Sequence, residues 1–313
     1  MRTIFIYALI LLLTAGCSPA LPAQAQDLSQ RPIRITATTG MTADLVQAVG
    51  GERVEVTALM GAGVDPHLYR ASESDVRALE NADLIFYSGL HLEAGLANVL
   101  ERMGTTRPVI AVTDNIPRDQ LFSAPNFQNN FDPHVWFDVK MWSTGIDVVA
   151  EALIKADPAN TELYRANASA YHLELAALDE EIRAAVAKVP EKQRVLITAH
   201  DAFGYFGRAY GFDVRGLQGI STESEAGAAD VKNLVDFIVE NKIPAIFMES
   251  SVPKRNIEAV QAAAADRGWP VKIGGQLYSD APGSPGTPEG TYPGMVRANV
   301  TTIVTALTAS GGN

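Results

Sequence analysis

The sequence predicts an α/β protein with two Rossmann-like lobes, each built on a parallel sheet and joined by a single long α-helix. Short β-like runs alternate with helical segments before residue 158 and again after residue 189. Such alternation builds a parallel sheet with helices on both faces. The 313 residues, 47% hydrophobic and 19% charged, are enough for two such cores.

The first lobe is predicted to contain four strands, at 33–38, 54–59, 82–87 and 108–112. Predicted helices at 41–49 and 72–81 separate the first three strands, and Ser72 is a favourable N-cap for the second helix. The second lobe is predicted to contain strands at 195–198, 213–217, 245–248 and 271–273, with helices at 228–240, 254–266 and 292–307. The pattern therefore predicts two similar halves.

The linking helix is predicted over residues 158–189, and at ~1.5 Å per residue it would cross a whole lobe. Asp157 is a suitable N-cap, Pro158 suits the first turn, and Pro190 ends the segment. We expect an apolar stripe near helical spacing to face the core; its residues are Leu163, Ala166, Ala170, Leu173, Ala177 and Ile182.

The N-terminus predicts export. A positive start precedes an apolar run, residues 4–13, that is too short to span a membrane. Cleavage before Cys17, at an imperfect lipobox, would make residues 1–16 the signal peptide and leave a lipid-anchored cysteine. Cleavage after Ala25 would instead remove residues 1–25 and leave a free protein in the periplasm or at the outer face of a membrane. The domains that follow are a flexible tether at 17–31, an N-terminal lobe at 32–157, the helix at 158–189 and a C-terminal lobe at 190–313.

Candidate metal ligands stand at the ends of predicted strands. The tripeptide Asp-Pro-His occurs twice and supplies His67 and His134, while His200 and Asp280 each follow a strand in the second lobe. Proline restricts such loops, and open α/β folds bind ligands at the carboxyl ends of strands. Three imidazoles and one carboxylate are a plausible set for a divalent transition metal. Because Cys17 is the only cysteine, no thiolate contributes.

Other polar side chains are candidates for supporting roles. The aspartates of the two tripeptides are suited to accept a ring N–H or to fix the loop backbone. Glu249, Glu223 and Glu225 are candidates to tune the site, and His91 is at best another. His172 is expected at the surface or in packing. The net charge of -11 excludes a nucleic-acid-binding face and fits a protein that handles cations.

Six segments together resemble a known family. They are Gly-Val-Asp-Pro-His-Leu-Tyr (63–69), Asp-Pro-His-Val-Trp-Phe-Asp (132–138), Thr-Ala-His-Asp-Ala-Phe-Gly-Tyr-Phe (198–206), Gly-Ile-Ser-Thr-Glu-Ser-Glu-Ala (219–226), Met-Glu-Ser-Ser-Val (248–252) and Gly-Gly-Gln-Leu-Tyr-Ser-Asp (274–280). The chain resembles the solute-binding proteins of metal-type ABC importers, the TroA-like, zinc-uptake cluster A-I. The resemblance implies a metal buried between two lobes, with His67, His134, His200 and Asp280 as its ligands.

The resemblance also implies that the protein is not an enzyme. It implies a monomer that delivers its ion to a membrane permease driven by an ATPase. Zinc is favoured because imidazole at position 200 suits it; manganese comes second and iron(II) is a further option. Residues 113–131 lack the histidine-rich loop that many dedicated zinc scavengers carry.

Three alternatives remain open from the residues. A zinc hydrolase would keep a coordination position for water, which a fourth protein ligand opposes, and the chain has no His-Glu-x-x-His motif. A protein for a chelated metal or another small ligand would have a larger, aromatic-lined pocket. An adhesin is the third, although no partner surface is visible in the sequence.

Overall fold

The structure is a computed structural model that describes residues 28–124, 127 and 130–309. The expected signal peptide, Cys17 and most of the tether lie outside these residues. Within the described part of the chain, every helix is too short or too polar to cross a membrane.

The N-terminal lobe is built on a four-stranded parallel sheet with strand order β2-β1-β3-β4. Its strands are β1 (Ile33–Ala37), β2 (Val54–Ala58), β3 (Leu84–Tyr87) and β4 (Val109–Ala111), and its helices are α1 (Gly40–Gly50), α2 (Glu73–Asn81) and α3 (Ala97–Gly104). A short antiparallel ribbon follows, formed by β5 (Ser123–Ala124) and β6 (Asn130–Phe131). Ser72 caps α2 as predicted, because its hydroxyl accepts from the Asp75 N–H and the Asp75 carboxylate accepts from the Ser72 N–H.

Two long helices follow the ribbon, and the second of them joins the lobes. They are α4 (Val139–Ala156) and α5 (Thr161–Val186), the linking helix. A single 3₁₀ turn, Pro158–Asn160, runs directly into α5. Pro158 therefore lies in the first turn of the whole helical segment, as predicted. The Asp157 side chain does not cap the helix backbone, since its Oδ2 accepts from the Arg53 guanidinium at 3.0 Å and from the Tyr164 hydroxyl at 2.8 Å.

The predicted apolar stripe of α5 is wrong in all but its last member. Leu163 and Leu173 are 40% and 71% exposed, whereas Ile182 is 1% exposed. The buried face runs through Tyr164, Ala168, Tyr171, Leu175, Leu178, Ile182 and Val186. This face also has helical spacing, and its larger side chains fill the space between α1, α4 and the last helix.

The helix α4 was not predicted, although its sequence carries a signal. Asp138 caps it by accepting from the backbone N–H groups of Lys140 and Met141. The apolar residues then follow at intervals of three and four, and all are buried: Val139, Trp142, Ile146, Val149 and Leu153.

The C-terminal lobe contains two parallel pairs of strands, β7 with β8 and β9 with β10, and β7 lies beside β9. The strands are β7 (Val195–His200), β8 (Asp213–Gln218), β9 (Ala245–Glu249) and β10 (Lys272–Leu277). The helices are α6 (Gly204–Tyr210), α7 (Ala228–Glu240), α8 (Arg255–Asp266) and α9 (Tyr292–Thr308). The prediction of parallel sheets in two α/β lobes joined by a long helix is therefore confirmed.

One hydrophobic core continues from the first lobe into the second. It includes residues of β1, α1, α4, α5, α6 and α9. Each lobe has a smaller core on the other face of its sheet, in which Leu79 and Ile257 are fully buried. The lobes are thus packed together along α5.

The corrected face of α5 can be tested with two truncations on the same helix. Ile182→Ala should lower the free energy of unfolding by about 2–4 kcal/mol, because it leaves a cavity in the shared core. Leu173→Ala should change it by less than about 0.5 kcal/mol, because that side chain is in solvent. Denaturant unfolding followed by circular dichroism measures both. Equal losses from the two truncations would contradict the assignment.

Candidate metal site

The four predicted ligands lie together where the carboxyl ends of the two sheets face each other. His67 follows β2, His134 follows β6, His200 is the last residue of β7, and Asp280 follows β10. One donor atom from each lies within 4.8 Å of the others. All four side chains are buried, with exposures of 0–2%. The fold therefore brings together four residues that are up to 213 positions apart in the chain.

Three of the six distances between the four donor atoms match those of tetrahedral coordination. Nε2 of His134 is 3.3 Å from Nε2 of His67 and 3.3 Å from Nε2 of His200. It is also 3.4 Å from Oδ1 of Asp280. A tetrahedron whose donors lie about 2.0–2.1 Å from a zinc ion has edges of about 3.3–3.4 Å.

Two carboxylates orient two of the three imidazoles. Oδ1 of Asp132 lies 2.7 Å from Nδ1 of His134, and Oε2 of Glu249 lies 2.5 Å from Nδ1 of His200. Because a carboxylate only accepts, each Nδ1 donates, and in a neutral ring the lone pair is on Nε2. Both lone pairs then point toward the shared centre, which is the arrangement found at histidine metal ligands. Glu249 thus supports the site, as the sequence suggested.

Hydrogen bonds within the buried cluster do not satisfy all of its polar atoms. Two neutral Nε2 lone pairs 3.3 Å apart cannot bond each other. Oδ1 of Asp280 is buried and makes no hydrogen bond to any residue that the structure describes. A buried, unpaired carboxylate oxygen is costly. A cation at the centre would satisfy this oxygen and all three imidazoles at once, so the residues fit a metal ion.

The pKa values of the four groups follow from burial and from the nearby carboxylates. Burial lowers the pKa of His67 to about 3. Burial also opposes charge on His134, but Asp132 and Asp280 raise its pKa to about 9. The pKa of His200 is raised well above its usual value because Glu249 and Asp280 outweigh burial. Burial disfavours ionised Asp280, yet His200 and His134 hold its pKa well below the usual range.

The two Asp-Pro-His loops have the same hydrogen bond to the histidine backbone, but the aspartates differ in their other hydrogen bonds. In each, the aspartate Oδ1 accepts from the histidine N–H at 2.9 Å. Asp132 also accepts from the ring of its own histidine. Oδ2 of Asp65 instead accepts from the Thr222 hydroxyl of the other lobe at 2.5 Å. The sequence repeat therefore stiffens both loops, but only the second aspartate orients a ring.

Buried contacts attach the second loop to the C-terminal lobe. The Trp136 indole donates to the Ser279 carbonyl at 3.0 Å. The Tyr205 hydroxyl donates to the Asp132 carbonyl at 2.9 Å, and Phe137 stacks on Phe203 with ring centroids 4.1 Å apart. These contacts fix His134 relative to both lobes.

The remaining candidates lie outside the cluster. Glu223 and Glu225 are exposed, and Glu225 pairs with Arg255. His91 packs against Phe127, and that ring in turn contacts the His67 ring edge-on. His172 pairs with Asp147 at the surface, as expected.

Sequence reasoning missed two contributors. Thr222 holds the first ligand loop, and Ser251 donates to Oδ2 of Asp280 at 2.9 Å. Both lie in segments that carry the family resemblance, but no local pattern distinguishes either from its neighbouring serines.

Comparison with known proteins gives consistent results. A family described as zinc-uptake complex component A, periplasmic, matches residues 35–306. The chain is 47% identical to the manganese-binding lipoprotein MntA of Bacillus subtilis over 292 residues, which are 93% of this chain and 94% of that protein. It is 50% identical to the zinc-binding protein TroA of Treponema pallidum over 277 residues, which are 88% and 89% of the two chains.

Solved structures agree with the sequence relatives. The periplasmic zinc-binding protein TroA from Treponema pallidum matches with a TM-score of 0.86 at 50% identity, covering 88% of this chain and 99% of that chain. A manganese-bound periplasmic metal-binding protein from Candidatus Liberibacter asiaticus matches over the same shares with a TM-score of 0.76 at 26% identity. The chain therefore belongs to the family of periplasmic A components of zinc-uptake complexes.

Proposed function

We propose that this protein captures a divalent transition-metal ion outside the cytoplasm and delivers it to the permease of an ABC importer. The observation that carries the proposal is the buried cluster of His67, His134, His200 and Asp280, in which Oδ1 of Asp280 has no hydrogen bond. The family is one of transport binding proteins, and the protein is not an enzyme.

The charge of the site suits a divalent ion. Counting Asp280 alone, the sequence suggested a net charge of plus one around a bound ion. The structure adds the carboxylates of Asp132 and Glu249, each bonded to a ligand ring. With these included, the loaded site carries one negative charge. This excess favours retention of the cation in a cleft of low dielectric.

Zinc is the ion that the site suits best. Three imidazoles with one carboxylate at tetrahedral spacing match its preferences, and zinc outcompetes manganese at equal ligands. Manganese is the second cargo, since a relative of 47% identity is named as manganese-binding. Iron(II) is a third option.

The partners follow from the family. A binding component of an importer requires a permease, and the permease requires an ATPase inside the cell. We further propose a monomer exported by residues 1–16 and anchored through Cys17, with removal of residues 1–25 as the alternative. The proposed domains stay at 32–157, 158–189 and 190–313.

A metal titration tests the function directly. The purified protein, stripped with chelator, should bind one zinc ion tightly, with manganese competing more weakly. His67→Ala and Asp280→Ala should each weaken binding by at least about tenfold, because each removes a donor. His172→Ala, which changes a surface histidine, is the matched control and should bind normally. Absence of stoichiometric divalent binding would rule out the proposal, and hydrolytic activity surviving in Asp280→Ala would favour an enzyme.

The role of Glu249 can be separated from that of the ligands. Glu249→Gln should weaken zinc binding by roughly 10–100-fold, because it removes the charge that orients His200 and makes it a stronger donor. Glu225→Gln, an exposed change, should leave affinity unaltered. Isothermal titration calorimetry measures both variants. Equal affinity in Glu249→Gln and wild type would show that the carboxylate does not support the ligand.

The pH dependence follows from the raised pKa values of His134, to about 9, and His200. The raised pKa values favour protonation of these rings before the ion arrives, and a ring must lose its Nε2 proton to bind the ion. Binding should therefore release protons at pH 7, and affinity should rise from pH 6 toward about pH 9. Calorimetry in buffers of different protonation enthalpy gives the proton count. An affinity independent of pH over this range would contradict the assignment.

A further inference from the structure

The two oxygens of Asp280 have different surroundings. Oδ1 lies 3.4 Å from Nε2 of His134 and makes no hydrogen bond within the described part of the chain. Oδ2 lies 3.4 Å from Nε2 of His200, so it also faces the cluster. Oδ2, however, already accepts a hydrogen bond from the Ser251 hydroxyl at 2.9 Å. Both oxygens therefore face the cluster, but only Oδ2 shares its lone pairs with a hydrogen-bond donor.

The direction of the hydrogen bonds around Ser251 is determined by chemistry. Its Oγ is 2.7 Å from Oγ of Ser279 and 2.9 Å from Oδ2 of Asp280. Because an ionised carboxylate only accepts, Ser251 donates its single proton to Asp280, and Ser279 therefore donates to Ser251. Such a chain polarises each bond and strengthens the last one.

The position of this series of hydrogen bonds is well defined. Ser251 follows β9, while Ser279 and Asp280 follow the neighbouring parallel strand β10. The Ser279 side chain is fully buried, and its carbonyl accepts from the indole of Trp136 in the opposite ligand loop. The hydroxyl of Ser251 is thus held against Oδ2 by a buried neighbour.

We propose that Ser251 is a positioning residue that determines metal selectivity. Its hydroxyl takes one of the two lone pairs of Oδ2 and weakens that oxygen as a donor. This favours four-coordinate binding through Oδ1, and so zinc over manganese. This inference rests on the proposed function, since it concerns the same site.

The chemical reason is the coordination number that each ion prefers. Zinc is satisfied by four donors in a tetrahedron. Manganese prefers more oxygen donors, in octahedral geometry. An oxygen that accepts a strong hydrogen bond is a weaker ligand for a metal ion. Without the Ser251 hydroxyl, Oδ2 becomes a stronger second donor, and manganese gains more from it than zinc does.

The test compares three serine variants of the full protein by competitive titration of zinc against manganese. Ser251→Ala should lower the ratio of the manganese to the zinc dissociation constant by roughly tenfold, in the range of supporting contacts at metal sites. Ser251→Thr keeps the hydroxyl and should keep the ratio. Ser250→Ala is the matched control, because the buried Ser250 hydroxyl makes no hydrogen bond within the described residues and should not affect the ratio.

A fourth variant protects the test against misfolding. Ser279→Ala removes the donor to Ser251 and should lower the ratio in the same direction by a smaller factor. Electron paramagnetic resonance of bound manganese should show a changed coordination shell in Ser251→Ala and the wild-type spectrum in Ser250→Ala.

The outcomes distinguish the inference from the function that it rests on. An unchanged ratio in Ser251→Ala, or equal weakening of both ions, would show that the hydroxyl only supports the structure and would overturn the inference. If the wild-type protein bound neither ion stoichiometrically, the proposed function itself would fail.

Discussion

Three imidazole nitrogens and one carboxylate converging on a single buried point are the constraint on which this structure depends. The arrangement is unfavourable unless a positive charge lies among the donors, because the lone pairs repel and the carboxylate oxygen has no partner. The raised pKa values of His134 and His200 have the same origin, since the carboxylates beside these rings favour a positive charge at this point. A divalent ion meets this requirement, and it binds through the Nε2 lone pairs that a proton would otherwise occupy.

The fold holds the four donors unequally. The loop of His134 is part of the packing between the lobes, since Trp136 and Tyr205 make hydrogen bonds between the lobes and Phe137 stacks on Phe203 of the other lobe. The loop of His67 is joined to the other lobe through the part-buried hydrogen bond from Thr222 to Asp65. One histidine is therefore fixed by the shared core, and another by a single part-buried contact.

Much of this arrangement could be predicted because its signals are local. Parallel strands are short apolar runs, and a proline beside a histidine marks a stiff loop wherever it occurs. The face of α5 was wrong because two faces of that helix have helical spacing, and only the packed neighbours choose between them. Ser251 and Thr222 could not be singled out, because their partners are 29 and 157 positions away and nothing nearby distinguishes them from adjacent serines. Helix α4, by contrast, could have been predicted from the sequence, because Asp138 is a suitable N-cap and the apolar residues after it have helical spacing.

Membership of the family does not choose the ion. The chain is about equally similar to a relative named as manganese-binding and to one named as zinc-binding, at 47% and 50% identity. The ligand types leave both ions possible, since imidazole and carboxylate each bind zinc and manganese to some degree. Selectivity must then depend on how many donor atoms the same side chains present. Among them, Asp280 alone can present one donor or two, because each imidazole has a single nitrogen facing the centre. The hydrogen bond from Ser251 to its second oxygen is therefore the point at which we propose that the two ions are distinguished.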